Sequence, residues 1–350
     1  MEQFYDAIDL LKGMISRPSY SREEGLVADF LEDKWRSAGY EVQRSGNNLW
    51  LMPPSYDAAK PNILLNSHID TVKPVAGWTL DPFAPDEDDD LLYGLGSNDA
   101  GASLVSMYEA FTVLVKRPQP YNLFLLASAE EEISGQGGVA SALPLLPPMK
   151  FGVVGEPTGM HPAIAEKGLM VLDCTCRGRA GHAARDEGIN AILLAIKDIE
   201  WFSSYVFPLK SELLGDVKMT VTMISAGTQH NVIPDECRFT VDIRTNELYS
   251  NQSALDEIKR NVGCEVVARS LRLNSSQIDR EHQFVQRATM LGKTPFGSPT
   301  MSDQALMPFP TVKIGPGSPS RSHTADEFIP LCDIREAIEV YIRLLDGLKV

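Results

Sequence analysis

Four short apolar runs in this chain each lead into a histidine or a group of acids, and that recurrence restricts the fold more than any other feature. Ile63-Leu64-Leu65 runs into His68-Ile69-Asp70, and Leu123-Phe124-Leu125-Leu126 into Glu130-Glu131-Glu132. Phe151-Gly152-Val153-Val154 is followed by Gly155-Glu156-Pro157-Thr158, and Thr311-Val312-Lys313-Ile314 precedes Ser322-His323-Thr324. Short apolar runs bounded by turn formers read as buried strands, and residues 49–52 read the same way. Residues 23–38 read as a helix with Leu26, Phe30, Leu31 and Trp35 on one side and Gly39 as its stop. Further helices are expected at 102–115 and, briefly, 138–143. This alternation predicts an α/β fold with a mixed, mainly parallel sheet covered on both faces. In such sheets ligands bind beyond the carboxyl ends of the strands. The four segments, with Asn98-Asp99 just ahead of the 102–115 helix, are therefore expected to meet in one pocket.

The chemistry of that set is specific. His68, Asp99, Glu132, Glu156 and His323 offer two imidazoles and three carboxylates, which suit borderline divalent ions such as Zn²⁺, Co²⁺ or Mn²⁺. Five donors exceed the three that one catalytic zinc needs. A shared carboxylate with two terminal ligands per ion gives a two-metal site, with ions roughly 3.5–4 Å apart, and Asp99 is the natural bridge. Asp70 points the same way as His68 on an extended segment, so it can orient that imidazole. One more carboxylate remains free as a general base on metal-bound water.

With these residues in place, the chain resembles the aminoacylase and glutamate carboxypeptidase family of di-zinc amidohydrolases. The motifs are His68-x-Asp70-Thr-Val, Gly94-x-Gly96-Ser-Asn-Asp99, Glu131-Glu132, Gly155-Glu156-Pro-Thr, Gly181-His182, Asn231-Val-Ile-Pro234, Asp242-Ile-Arg244 and His323-Thr-x-Asp-Glu327. They cover nearly the whole chain in order. The resemblance implies two divalent metal ions, Zn²⁺ first, with Co²⁺ able to substitute. It gives His68, Asp99 and Glu156 to one ion and Asp99, Glu132 and His323 to the other. Asp70 matches the orienting carboxylate, Glu131 the general base, and His182 a lid histidine that stabilises the oxyanion, often from the partner subunit. Arg244 and Asn231 match substrate-binding residues. Two motifs depart from the family habit. Asp99-Ala-Gly-Ala stands where Asp-Met-Lys-Gly is common, and Gly181-His182-Ala183-Ala184-Arg185 where Gly-His-Ser is. Neither change removes a ligand or the base.

The implied activity is metal-dependent removal of the acyl group from an N-acyl amino acid, in the style of the family's acetylornithine deacetylases. The alternatives are a desuccinylase acting on succinylated ornithine, citrulline or diaminopimelate, with Arg185 or Arg321 meeting the second carboxylate, and a dipeptide exopeptidase. A non-catalytic binder would be expected to have lost Glu131 or a ligand, and all are present. Gly315, Gly317 and Ser318 form a turn whose amides could wrap a substrate carboxylate.

Length and composition agree. At 350 residues there is room for two domains. A net charge of −15 argues against nucleic-acid and anionic-membrane partners. The run Asp86-Glu87-Asp88-Asp89-Asp90 reads as a solvated loop. No apolar run is long enough for a transmembrane helix, and the acidic N-terminus lacks a signal-peptide core, so a cytoplasmic location is the expectation. Five scattered cysteines, with Cys174 and Cys176 on one strand face, read as reduced thiols.

The middle of the chain has a different rhythm. Strands at 169–177, 217–225, 238–244 and 265–271 and helices at 190–206 and 253–262 give β-α-β-β-α-β, the ferredoxin-like order. The expectation is a catalytic zinc-binding domain from 1–167 and 276–350, with 168–275 inserted as a lid. The resemblance implies a homodimer through that lid. His161, His230 and His282 lack comparable context and read as background.

Overall fold

Every residue of the strands Asn62–His68, Asn122–Ser128 and Phe151–Val154 is buried. Strands this apolar need cover on both faces, and they occupy the middle of one sheet. The computed structural model describes residues 2–185 and 187–350. Its main sheet has nine strands, six of them in the order Val42–Ser45, Asn48–Leu51, Asn122–Ser128, Asn62–His68, Phe151–Val154, Thr311–Lys313. The first two strands form an antiparallel hairpin, and Asn48–Leu51 pairs antiparallel with Asn122–Ser128. From Asn122–Ser128 to Thr311–Lys313 all neighbours are parallel. The fold is thus mixed α/β with a parallel centre, as the alternation predicts.

The helices Glu2–Ile15, Ala102–Leu114 and Leu331–Leu345 pack on one another. Ala102–Leu114 buries Leu104, Val105, Met107, Ala110, Phe111 and Leu114, so it is apolar nearly all round and sits in the core. Leu331–Leu345 instead buries a stripe of Ile334, Ala337, Ile338, Tyr341 and Leu345. The Tyr341 hydroxyl donates to the Ile314 carbonyl at 2.7 Å, fastening this helix just past the Thr311–Lys313 strand.

The acidic run at 86–90 is not the plain loop expected. Asp86–Asp88 forms a strand that pairs antiparallel with Leu91–Tyr93, and Asp89 and Asp90 turn between them with φ of 46° and 65°. Two consecutive positive φ values suit a two-residue hairpin, and aspartate tolerates them. Leu92 is buried and its strand also pairs with Phe328–Pro330, so the apolar half recruits the acidic half. The acids themselves stay exposed.

The chain divides into two compact units. One comprises Met1–Ile164, Gln277–Phe296 and Ser302–Val350, the other Ala165–Ser276 and Gly297–Met301. The second unit carries an antiparallel sheet ordered Lys218–Ala226, Glu236–Arg244, Met170–Arg177, Glu265–Ala268. Helices Ala191–Ser204 and Asn251–Asn261 complete a β-α-β-β-α-β sequence order. Each begins on a side-chain cap, Asn190 accepting from the Ile192 amide and Ser250 from the Ser253 amide. Met170, Leu172, Cys174 and Cys176 alternate inward toward Phe202, Phe239, Val241 and Ile258. Among the described residues, no helix is long and apolar enough to cross a membrane.

Candidate active site

Parallel pairing puts the carboxyl ends of the central strands on one edge of the sheet. His68 is the last residue of its strand and lies opposite Ser128, while Asn66 lies opposite Val154. Beyond Ser128 the chain passes Ala129 and Glu130 into a single helical turn, Glu131–Ile133. Beyond Val154 come Gly155 and Glu156. Asp99 sits in the irregular turn Ser97–Gly101 that enters the Ala102–Leu114 helix, and a cis peptide joins it to Ala100. His323, at φ 59°, lies in the segment after Thr311–Lys313.

These residues converge. His68 Nε2 is 3.3 Å from Asp99 Oδ1 and 3.8 Å from Glu156 Oε1. His323 Nε2 is 3.0 Å from Glu132 Oε2 and 3.7 Å from Asp99 Oδ2. Asp99 therefore shows one oxygen to each imidazole, and each imidazole has a second carboxylate of its own. Donor atoms of His68, Asp99 and Glu132 lie within 4.8 Å of one another, as do those of His68, Glu131 and Glu156. All five expected ligands and Glu131 are thus in one place. Glu130 is not: its carboxylate accepts the Gly137 amide at 3.2 Å and faces Arg22.

The electrostatics follow from crowding acids in a buried space. Burial opposes a charge on His68, but Asp70 and Asp99 overcome it and hold the imidazole well above its ordinary range. Burial raises Glu131 well above the usual carboxylate range, and Glu156 adds to this. Burial also pushes Glu156 up to about 8, against the pull of His68. Asp99 goes the other way, because His68 outweighs its burial. His323 is lifted to about 9, chiefly by its bond to Glu132. Mutually repelling carboxylates beside two imidazoles form a donor set that fits hard or borderline divalent cations.

A second layer fixes this set. His68 Nδ1 donates to the Asp70 carbonyl at 2.9 Å, and the Asp70 carboxylate is 3.5 Å away. That carboxylate accepts the amides of Glu131 at 3.0 Å and Glu132 at 3.1 Å, and the Ser21 hydroxyl at 2.7 Å. Asp70 thus holds both the imidazole and the acidic turn. Glu327 accepts the amides of Gly96, Asn98 and Asp99. Asp303 is buried and accepts from Asn66 Nδ2 at 2.9 Å and the Ser128 hydroxyl at 2.7 Å. Burial raises it to about 6. In the sequence Glu327 stands out only as part of a motif, and Ser21 and Asp303 do not stand out at all. Neither carries a periodic or spacing signal.

The remaining candidates differ in kind. His182, Asn231 and Arg244 belong to the second unit. His182 is exposed, in a two-residue strand paired with Val232–Ile233. Its Nδ1 accepts the Ala184 amide at 3.1 Å, which leaves Nε2–H as an outward donor. The Asn231 carbonyl accepts the Ala183 amide at 2.9 Å. Arg244 is engaged with Asp242 through two bonds, at 2.8 and 3.1 Å. In the turn at 315–318 the Gly315 amide donates to Thr158 Oγ1 and the Ser318 amide to Asn98 Oδ1. Gly317, at φ 82°, packs so closely on the Asn98 side chain that a Cβ would clash. The turn braces the Asp99 loop. Arg321 lies over the Phe328 ring and 3.7 Å from Asp333, and Arg185 is 4.0 Å from Glu187.

The parallel-centred α/β sheet thus gathers imidazoles and carboxylates beyond its strand ends, where ligands bind in such folds. Residues 64–347 match the model of peptidase family M20/M25/M40, and the chain belongs to that family. It is similar to an acetylornithine deacetylase from Proteus mirabilis, 27% identical over 97% of this chain and 96% of that protein. A succinyl-diaminopimelate desuccinylase from Sulfurimonas denitrificans is 28% identical over 73% of this chain and 72% of its own. A dinuclear metal-binding peptidase of the M20 family from Bacillus subtilis shares the fold, with a TM-score of 0.75 at 17% identity over 98% of each chain.

Proposed function

We propose that this chain hydrolyses the amide bond of an N-acyl amino acid, with two divalent ions, Zn²⁺ first and Co²⁺ as a substitute. One observation carries the reading: Asp99 faces His68 with one oxygen and His323 with the other. Each imidazole has its own further carboxylate, Glu156 and Glu132 respectively. His68, Asp99 and Glu156 would hold one ion, and Asp99, Glu132 and His323 the other. The ions would supply a polarised acyl oxygen and an acidified water.

The chain's own residues do the rest. Glu131, in the same pocket and not needed as a ligand, takes the proton from water and returns it to the leaving amine. Asp70 keeps Glu131 in register by holding its amide. The Nε2–H of His182 donates to the developing oxyanion. Arg244 and Asn231 bind the substrate α-carboxylate, Arg244 after exchanging Asp242 for it.

Acetylornithine is the first substrate to test, because a relative of that name aligns over almost the whole chain. A succinylated amino acid is second, on the similarity to a desuccinylase. A homodimer through the second unit accompanies this reading. Its edge strand Lys218–Ala226 exposes Met223 and Ile224, a surface that pairing with a second copy would cover. The test is a turnover panel of acetylated and succinylated ornithine, citrulline and diaminopimelate, with dipeptides alongside. Chelation should abolish turnover, and Zn²⁺ or Co²⁺ should restore it. Full activity in a demonstrably metal-free sample would sink the reading.

A further inference from the structure

Four of the five cysteines face the core of the second unit: Cys174, Cys176 and Cys237 are buried there and Cys264 packs against them. Core packing explains apolar thiols, but a carboxylate sits among them. Cys176 Sγ is 3.5 Å from Asp198 Oδ2. That carboxylate is oriented by the chain itself: the Gly263 amide donates to Oδ1 at 3.0 Å and the Cys264 amide to Oδ2 at 2.9 Å. Donor atoms of Cys176, Asp198 and Cys264 all lie within 4.8 Å of one another. The Cys174 thiol faces inward on the same strand face as Cys176.

We propose that Cys176, Asp198 and Cys264 form a metal site in the second unit, separate from the imidazole and carboxylate pocket, that takes a thiophilic divalent cation such as Zn²⁺. Soft thiolates with one carboxylate select zinc or cadmium over calcium or magnesium. Three structural elements supply the donors: the strand Met170–Arg177, the helix Ala191–Ser204 and the turn before Glu265–Ala268. No Cys-x-x-Cys spacing announces such a site, because Asp198 and Cys264 meet Cys176 only in the folded unit. The two amides on Asp198 are the outer bonds that keep a ligating carboxylate aligned. Without a cation, burial and the nearby charges push the Cys176 thiol up to about 12, so it stays protonated. Binding would displace the protons of Cys176 and Cys264 to solvent. The ion would pin the helix and the turn to the sheet.

Cadmium is the probe, because thiolate-to-cadmium charge transfer gives an ultraviolet band that imidazole and carboxylate ligands do not. Full-length protein stripped of metal is titrated with Cd²⁺. The expected result is a band whose final amplitude corresponds to one thiolate-bound ion per chain, beyond whatever Cd²⁺ the imidazole and carboxylate pocket takes up silently. Cys176→Ser with Cys264→Ser should lose the band and one bound equivalent. Cys332→Ser, an exposed thiol elsewhere, should keep both. Asp198→Asn keeps an acceptor for one amide and should weaken binding by about 10–100-fold. Absence of the band in wild-type protein would overturn the proposal without any variant having to fold. Persistence of the band in the double variant would overturn it equally.

Discussion

The Glu327 carboxylate accepts the backbone amide of Asp99 at 2.9 Å, from a position four residues beyond His323. The same oxygen takes the Asn98 amide at 2.8 Å. The two segments that face each other across the pocket are therefore tied through backbone as well as through Asp99 and His323. Glu327→Ala should lower metal affinity by about 10–100-fold, the usual effect of losing a partner that orients a ligand. Glu327→Gln keeps an acceptor and should do less. Competition with a chromogenic chelator measures both. Equal affinity in wild type and Glu327→Ala would show that the Asp99 loop holds itself.

Glu131 and Glu132 are adjacent, share Asp70 as amide acceptor, and should differ in phenotype. Glu131→Gln is expected to retain metal and lose about 10²–10⁴ in kcat, the worth of a positioned base. Glu132→Gln removes the partner of His323 and should lower metal occupancy instead. Metal analysis beside single-turnover kinetics separates them. Exchanged phenotypes would make Glu132 the base and Glu131 the ligand.

His182 presents Nε2–H outward and contributes nothing to the metal-binding cluster. His182→Ala should keep folding and metal content and lower kcat by about 10²–10³, as for one oxyanion donor. If the donor comes from a partner subunit, mixing His182→Ala with Glu131→Gln should restore activity, since some mixed dimers then carry one intact site. No recovery despite proven subunit exchange would assign it to the same chain. An unchanged kcat would remove it from the mechanism.

Glu109 gives a pH signature remote from the pocket. It is buried on the Ala102–Leu114 helix, and burial, with Asp6 adding, pushes its carboxyl up to about 7 from an ordinary 4.5. The folded state therefore holds a proton that the unfolded state gives up between those values. Stability falls as pH rises through that window, and the loss is complete above about 7. Glu109→Gln has no such titration. It should match wild type near pH 4.5 and exceed it by about 1–3 kcal/mol at pH 8. Urea unfolding of both proteins at the two pH values checks the sign.

Sequence pattern exposes the parts of this molecule whose physics is periodic or chemically loud. The strands 62–68, 122–128 and 151–154 stand out because they are apolar without interruption, and the site's imidazoles and acids because each follows such a run. The Glu2–Ile15 helix escaped notice, although Leu10, Leu11 and Met14 are buried, because its start reads only as an acidic terminus. Gln283–Met290 is two turns long, and its cap is His282, which reads as background and yet accepts the Phe284 amide. The bracing of Asp99 by Glu327, and of Asn66 and Ser128 by Asp303, joins residues 175 to 237 positions apart. No local pattern encodes such pairings. The partners of the Gly315 and Ser318 amides, Thr158 and Asn98, are equally remote in sequence.

Asp70 and Glu327 have a joint consequence for how the site fills. Each buried carboxylate clasps backbone amides, so protein bonds already shape the loops bearing Asp99, Glu131 and Glu132. Ions would then meet a preformed socket, and loading should be a docking event rather than a folding one. The chain should then differ from small metal-folded modules, in which a chelator denatures the protein. Stripping should leave an intact, refillable scaffold, with an unfolding midpoint that depends on free metal only through mass action.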